Sequence, residues 1–375
     1  MNLRPYTLIT LAALISFALG SHSFADVSFD FGSSHTDASN LLNDANDFDD
    51  AYTSSDASLT FYPLSSLEWS LKGDYTYYKD FIGLGNYSLG TGMTFIPLSV
   101  DSRTPLHFSS NFSGRLYREG FQDFDNNTFD ISGTIGYNLS TATQMRGGLA
   151  YNSTAYVRTE SSDQESFTIF TGCNASFLGS NAIDIEVGYS FASYTYIEPI
   201  DPEFPILDPN FRFVKFTDGT LKSLSFSPRY SRPLGSKTGL SVLFTYREFF
   251  DHDEAIVLGS TFENLSPWSS VWQGRAVSLN LKTYLVPHFI VSGGVGYWNK
   301  SFLRIADLDV AFLTQVVERQ DEQTKFFLNI QDPIVTGAGY VLETTLGFEY
   351  TNNTSSKPLY DYSGFNLSIG FRVRM

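Results

Sequence analysis

The chain has 375 residues, with 24 Lys and Arg against 40 Asp and Glu, and therefore a formal net charge of −16. This acidity argues against a nucleic-acid partner, because phosphate backbones require a clustered positive surface. Cys173 is the only cysteine, so neither an intramolecular disulfide nor a cysteine-based zinc site is expected. Beyond the N-terminal segment no apolar run is long enough to predict a transmembrane helix.

The N-terminal residues have the pattern of a secretory signal peptide. Arg4 precedes an apolar run from Leu8 to Leu19, which is followed by Ser23-Phe24-Ala25. A positive start, an apolar centre and small residues before the cleavage point predict export through the Sec pathway, with cleavage after Ala25. An uncleaved anchor is the alternative, but the run is short for a membrane span. We therefore expect a signal peptide at residues 1–25 and one domain at residues 26–375.

Apolar and polar residues alternate with a period of two from Val27 to the C-terminus. The clearest example is Ile183, Ile185, Val187, Tyr189 and Phe191, with Asp184, Glu186 and Ser190 between them. Because successive side chains of a strand point to opposite faces, this pattern predicts strands with one apolar and one polar face. A weak helical spacing appears only at Leu308–Val317. The predicted fold class is all-β.

The connections between these segments alternate in length. The short connections are Pro63–Ser66, Ser140–Thr143, Leu178–Asn181 and Val286–Pro287. The long polar connections are Asp37–Asp50, Arg118–Asn127, Arg158–Glu165, Glu198–Asp218, Glu248–Pro267 and Thr351–Ser363. Long loops at one end and tight turns at the other are typical of transmembrane β-barrels in outer membranes. The Glu198–Asp218 loop is rich in proline and carries apolar residues, so it is a candidate constriction of a pore.

The number of strands depends on the stretch Asn299–Thr336. Fifteen alternating segments are evident, whereas a barrel with both termini on the periplasmic side needs an even number. A strand at Gln323–Gln331 that turns through Asp332–Gly337 gives sixteen. We predict an antiparallel, up-and-down transmembrane β-barrel of about sixteen strands, with fourteen as the next possibility.

The C-terminal segment Phe365–Met375 carries the most specific signal. Phe365, Leu367, Ile369, Phe371 and Val373 alternate with polar residues and glycine up to the last residue. This segment resembles the terminal strand of bacterial outer-membrane β-barrels, although Met375 replaces the aromatic residue that usually ends it. The resemblance implies a porin-like protein of a Gram-negative outer membrane, folded there by the barrel-assembly machinery through Phe365–Met375. It identifies no subfamily.

Residues opposite the apolar set are expected to face the inside of the barrel. The charged candidates for lining a pore are Glu68, Lys72, Asp74, Arg115, Arg146, Asp184, Glu186, Lys282, Glu343, Glu349, Arg372 and Arg374. Sixteen strands leave room for an aqueous channel, whereas eight do not. Charges of both signs on the walls of such a pore would select solutes by charge and size. In the alternative of a filled barrel, these charges pair across a closed interior.

Acidic residues cluster in the long connections, at Asp44–Asp50, Asp123–Asn127 and Asp251–Glu254. Asp123-x-Asp125-x-Asn127 lacks the glycine and the glutamate of a calcium loop, so we predict no specific metal site and no cofactor. Asp251-His252-Asp253 is the only local candidate for hydrolysis. A hydrolytic site also needs a base within hydrogen-bond reach of a nucleophile, which a sequence does not show.

The predicted function is passive diffusion of small polar solutes, with a preference for cations, and no enzymatic activity. The alternatives are a non-transport barrel for adhesion or scaffolding and an outer-membrane hydrolase. The expected partners are outer-membrane lipid and lipopolysaccharide, and a homo-oligomer is possible.

Overall fold

The main chain closes into a single β-barrel. The computed structural model describes residues 26–43, 48–98, 103–158, 163–177, 180–199, 214–250, 256–258, 271–285, 288–302, 304–308, 314–335 and 340–375. Sixteen antiparallel strands form the closed barrel, as the sequence predicts, and three further strands form a small separate sheet. The strand predicted at Gln323–Gln331 is present and extends from Gln320 to Val335.

The strands are numbered β1 to β19 in chain order. They are β1 Asp26–Ala38, β2 Asp50–Leu64, β3 Leu67–Tyr78, β4 Asn86–Leu98, β5 Leu106–Tyr117, β6 Asn126–Asn138, β7 Thr143–Tyr156, β8 Gln164–Phe177, β9 Asn181–Pro199, β10 Val214–Pro233, β11 Thr238–Phe250, β12 Ile256–Leu258, β13 Trp272–Tyr284, β14 Ile290–Phe302, β15 Arg304–Leu308, β16 Thr314–Val317, β17 Gln320–Val335, β18 Val341–Ser355 and β19 Tyr362–Arg374. Single 3-10 turns lie at Ile82–Leu84, Gln122–Phe124 and Pro358–Tyr360.

The alternation of the sequence becomes an apolar outer face. Paired residues of neighbouring strands share a face, so the register of Ile169 with Tyr189 and of Leu279 with Val295 continues one apolar belt from strand to strand. Its members are exposed, Ile369 by as much as 64%. Exposed apolar residues of the belt include Leu89, Phe112, Ile131, Leu149, Ile169, Val277, Leu328 and Leu346. An apolar surface of this extent is typical of a barrel that contacts lipid.

The first and last strands close the barrel. β1 pairs with β19 in a register that runs from Asp30–Arg374 to Ala38–Asn366. Met375 extends this pairing, because its N–H donates to the Phe29 carbonyl at 2.8 Å and its carbonyl accepts from the Phe29 N–H at 3.0 Å. The segment Phe365–Met375 therefore completes the sheet and removes its open edge. We call the β1–β19 pairing the seam.

Connections alternate in length only in part as predicted, because the connections before and after β4, at 79–85 and 99–105, are equally long. β18 extends to Ser355 and shortens the predicted Thr351–Ser363 connection to 356–361, and two further strands also run further than expected. β9 ends at Pro199 and β10 begins at Val214, so much of the predicted Glu198–Asp218 loop is strand, and its remainder, residues 200–213, lies outside the described residues. The predicted signal peptide also lies outside them. No helix within the described ranges has the length and apolar character needed to cross a membrane.

Two long connections contribute the small sheet. β12 follows β11 and pairs in parallel with β15, which pairs antiparallel with β16 in the connection between β14 and β17. The described ends of Leu308–Val317, where the sequence has a weak helical spacing, are therefore strand.

Candidate functional site: the inner wall of the barrel

The inner face can be recognised by contacts between strands that are not neighbours. Side chains from next-but-one strands converge on the concave side of a barrel and diverge on its convex side. Arg146 on β7 binds carboxylates on β9, and Arg372 on β19 binds a carboxylate on β2. Both arginines point away from the apolar belt. By register, all twelve predicted charged residues lie on this inner face, and their role in lining a pore stays a prediction.

One ion cluster lies within the continuous wall. Arg146 donates to both Asp184 carboxylate oxygens, at 2.9 and 3.2 Å, and to Glu186 Oε2 at 2.9 Å. The guanidinium crosses β8 over Gly172, where a Cβ atom would lie only 3.3 Å from Arg146 Nε. We call Arg146, Asp184 and Glu186 the wall cluster. The glycine keeps the path across β8 clear, which lets the planar guanidinium bridge both carboxylates.

A second ion cluster crosses the seam. Arg372 Nη2 donates to both Asp56 carboxylate oxygens at 3.1 Å and Arg372 Nη1 lies 3.1 Å from Asp30 Oδ1. Arg374 Nε donates to Asp30 Oδ2 at 3.1 Å, and its Nη2 lies 3.6 Å from Glu343 Oε2. These five residues form the seam cluster. Here too a glycine, Gly32, lies beneath the arginine, and a Cβ there would be 3.1 Å from Arg372 Nη2.

The two clusters face each other at one end of the barrel. The seam cluster is centred on β1 and the wall cluster on β8, which is seven strands further in a barrel of sixteen. Both lie near the chain termini and the short turns. Sequence reasoning found Arg146, Asp184, Glu186, Glu343, Arg372 and Arg374, and it missed Asp30 and Asp56. The alternating pattern of β1 and β2 could have identified both aspartates as inner residues, since each lies between outward-facing residues.

The remaining predicted residues lie further along the inner face. Glu349 pairs with Lys325, which sequence reasoning missed, at 3.4 Å. Asp74 accepts a hydrogen bond from Ser88 on the next strand, and the Lys282 ammonium lies 5.6 Å from the centre of the Tyr284 ring. Glu68, Lys72 and Arg115 form no ion pair with the residues that the structure describes. Part of the inner wall is thus lined by short-range pairs of opposite charge, and part carries charges without an ion partner among the described residues.

These inner charges are not covered by other side chains. The side chains of Arg146 and Arg372 are 23% and 37% exposed, and those of Glu186 and Asp56 are 44% and 43% exposed. Few apolar side chains are buried among the described residues, and several of them, such as Leu42, Leu84 and Tyr360, lie in connections. Within the described residues, the inner face is therefore polar and partly exposed.

Several loop acids have structural roles. The Asp50 carboxylate accepts hydrogen bonds from the N–H groups of Asp80 and Phe81 at 3.0 Å. Asp125 accepts one from the Tyr117 N–H at 2.6 Å. Both acids fix the ends of strands and connections. Asp44, Asp47 and the Asp251-His252-Asp253 candidate lie outside the described residues, and within the described ranges no group of His, Cys, Asp and Glu is arranged to hold a metal ion.

Comparison with solved structures identifies the fold. The outer membrane protein OpdK of Pseudomonas aeruginosa superimposes with a TM-score of 0.50 at 9% identity, over 93% of this chain and 99% of OpdK. The fold is that of a porin-like outer-membrane β-barrel. OccAB1 of Acinetobacter baumannii gives a TM-score of 0.48 at 9% identity, over 95% of this chain and 98% of OccAB1. OmpT, an outer membrane protein of Vibrio cholerae, gives 0.44 at 10% identity, over 94% and 97% of the two chains.

At such low identity the likeness establishes the fold alone. No protein-family profile and no curated protein matches the sequence.

Proposed function

We propose that this protein is an outer-membrane channel for passive diffusion of small polar solutes. The observation that carries the proposal is the inner wall of the closed sixteen-stranded barrel, where the paired charges remain partly exposed. The described pairs join residues on neighbouring or next-but-one strands of the same wall and do not cross the interior. This arrangement favours an open pore over a filled barrel, since a filled interior would bury the charges.

The proposed location is the outer membrane, reached through the Sec pathway and completed by barrel assembly through Phe365–Met375. The apolar belt and the seam pairing of the terminal strand support this location. Deletion of residues 365–375 would leave β1 and β18 with unpaired edges, so we expect loss of the heat-modifiable folded band on detergent gels. A truncated chain that still shows this band would contradict the role of the terminal strand.

Single-channel recording in planar bilayers tests the channel directly. We expect stepwise conductance from purified protein, whereas a scaffold or adhesion barrel would give no steps. The carboxylates outnumber the guanidinium groups by one in each cluster, which favours cations. Arg229 pairs in register with Asp184 and offsets part of this excess. We therefore propose a modest cation preference, measured as a reversal potential under a potassium chloride gradient. A reversal potential of the anion-selective sign would refute it.

A further inference from the structure

The inner wall contains two aromatic rings, each of which lies over a glycine. On β14, Gly294, Gly296 and Trp298 share the inner face, since Val295 and Tyr297 between them are exposed on the outside. A Cβ added to Gly296 would overlap the six-membered ring of Trp298. Phe327 on β17 is paired with Gly294, and a Cβ there would lie 2.7 Å from Phe327 Cε1. Both rings thus occupy the space above a glycine on the inner face.

Trp298 and Phe327, together with Gly294 and Gly296, form what we call the aromatic strip. Gly294 and Gly296 are buried beneath the rings, while Trp298 and Phe327 are half-buried. Two residues of a strand rise by roughly 7 Å, and neighbouring strands lie about 5 Å apart. The strip therefore has about the length of one six-membered sugar ring.

Hydrogen-bonding side chains border the strip on both sides. Asn280 flanks Gly294 in the β13–β14 register, and its amide oxygen would lie 2.7 Å from a Cβ on that glycine. Glu349 flanks Phe327, and Lys325 flanks Gly296. Gln323 flanks Trp298 and accepts a hydrogen bond from Lys300 Nζ at 2.9 Å. An apolar strip with a polar border matches a ligand that has one apolar face and a hydroxylated edge.

The charges of Lys325 and Glu349 beside the strip compensate each other. Lys325 lies 3.4 Å from Glu349, so this pair presents both donors and acceptors without a net charge. A carboxylate solute would have to compete with Glu349 for the ammonium group, whereas neutral hydroxyl groups can bond to both partners. The surroundings therefore favour a neutral, polyhydroxylated solute over an anion.

We propose that the aromatic strip is a binding site for neutral sugars within the pore. The C–H face of a pyranose ring stacks on Trp298 and Phe327, and its hydroxyl groups bond to Asn280, Lys325 and Glu349. This inference rests on the proposed channel function and names a class of solute for it. Phe170 provides a comparison, because its ring lies over Gly148 on a distant part of the inner wall without a second ring described beside it.

Two measurements with maltose as the probe test the proposal. Isothermal titration in detergent measures binding to the folded barrel whether or not it conducts, and single-channel recording measures maltose-induced block. We expect saturable binding and concentration-dependent block for the native protein. Each ring removed, in Trp298→Ala or Phe327→Ala, should weaken binding by about two- to tenfold, the range for a single aromatic contact. Trp298→Phe should retain most of the affinity, and Phe170→Ala should leave it unchanged.

The outcomes separate the two proposals. Conductance steps without maltose binding would overturn the sugar site and leave the channel standing. Maltose binding to a barrel that gives no conductance would refute the channel function and leave the site standing. Equal loss of affinity in Phe170→Ala and Trp298→Ala would overturn the assignment of the site to the strip. Block by benzoate in the absence of any block by maltose would overturn the solute class.

Discussion

The wall cluster and the seam cluster are built alike and differ in what they join. Each places an arginine over a glycine so that it reaches carboxylates two strands away. Arg146 is 38 residues from Asp184, whereas Arg372 is 316 residues from Asp56. The wall cluster can form as soon as β7, β8 and β9 pair. The seam cluster requires the chain ends to meet, so it can form only when the barrel closes.

The wall cluster therefore joins strands that are close in sequence, whereas the seam cluster joins the two ends of the chain. The loop-closure entropy of a long chain must be offset before distant contacts contribute. Arg372 and Arg374 then join β18, β19, β1 and β2 through side chains, in addition to the backbone pairing of the seam. We infer that the side chains of the seam cluster stabilise the β1–β19 pairing, which forms last when the barrel closes.

The largest expected effect comes from placing a charge on the lipid face beside each cluster. Val187 follows Glu186 and points outward near the middle of the membrane, whereas Phe371 precedes Arg372 near the end of β19. Val187→Arg should cost about 2–4 kcal/mol of unfolding free energy, and Phe371→Arg less, because the penalty falls towards the interface. Urea unfolding in lipid vesicles measures both.

The control for the lipid-face prediction is Ser190→Arg, on the inner face of the same strand as Val187. It should cost little, because it adds an arginine to the aqueous interior. Equal losses for Val187→Arg and Ser190→Arg would contradict the assignment of faces.

A methyl group added at Gly172 or Gly32, the glycines beneath the two arginines, should lower stability more at the wall cluster than at the seam cluster. A Cβ on Gly172 would lie 2.7 Å from the backbone oxygen of Ile185, whereas one on Gly32 would lie 2.8 Å from a carboxylate oxygen of Asp56. Backbone yields less readily than the end of a side chain, so Gly172→Ala should cost about 1–3 kcal/mol and Gly32→Ala less.

Gly239→Ala is the matched control on the inner face, because a Cβ added there would meet no atom within 4 Å. Unfolding midpoints in urea provide the comparison. A greater loss for Gly32→Ala than for Gly172→Ala would show that the seam arginine cannot adjust its position.

Removal of the two arginines should change the rates of folding and unfolding differently. We expect Arg372→Ala and Arg146→Ala each to cost about 1 kcal/mol, because both ion pairs are partly exposed and screened. Contacts that form after the transition state of folding mainly affect the unfolding rate. Arg372→Ala should therefore mainly speed unfolding, whereas Arg146→Ala should also slow folding. Urea-jump fluorescence in vesicles resolves the two rates. Slower folding in Arg372→Ala, with unchanged unfolding, would mean that the seam forms early.

The smallest expected effect concerns ion selectivity. Neutralising two carboxylates of either cluster, in Asp184→Asn with Glu186→Gln or in Asp30→Asn with Asp56→Asn, leaves a net positive cluster on one wall. Each pair should move the reversal potential towards anion preference by a similar small amount. An effect from one cluster alone would show that the other does not face the permeation path.

Much of this architecture was accessible from residue patterns. The period of two predicted the strands and their faces, and the requirement for an even number predicted the strand in Gln323–Gln331. The partners within the clusters were not accessible, since the reach of Arg372 to Asp56 depends on register and on the absence of a side chain at Gly32. Trp298 and Phe327 were not recognised as inner residues, because aromatic residues occur on both faces of strands.

The sequence by itself determined which side of each strand meets lipid, because alternation is a local property that every strand carries independently. Tertiary structure alone decided which inner residues meet. Closure of sixteen strands brings residue 372 beside residue 56 and sets Arg146 opposite the seam. Such contacts depend on strand order, register and curvature together, and no single segment of the chain determines them.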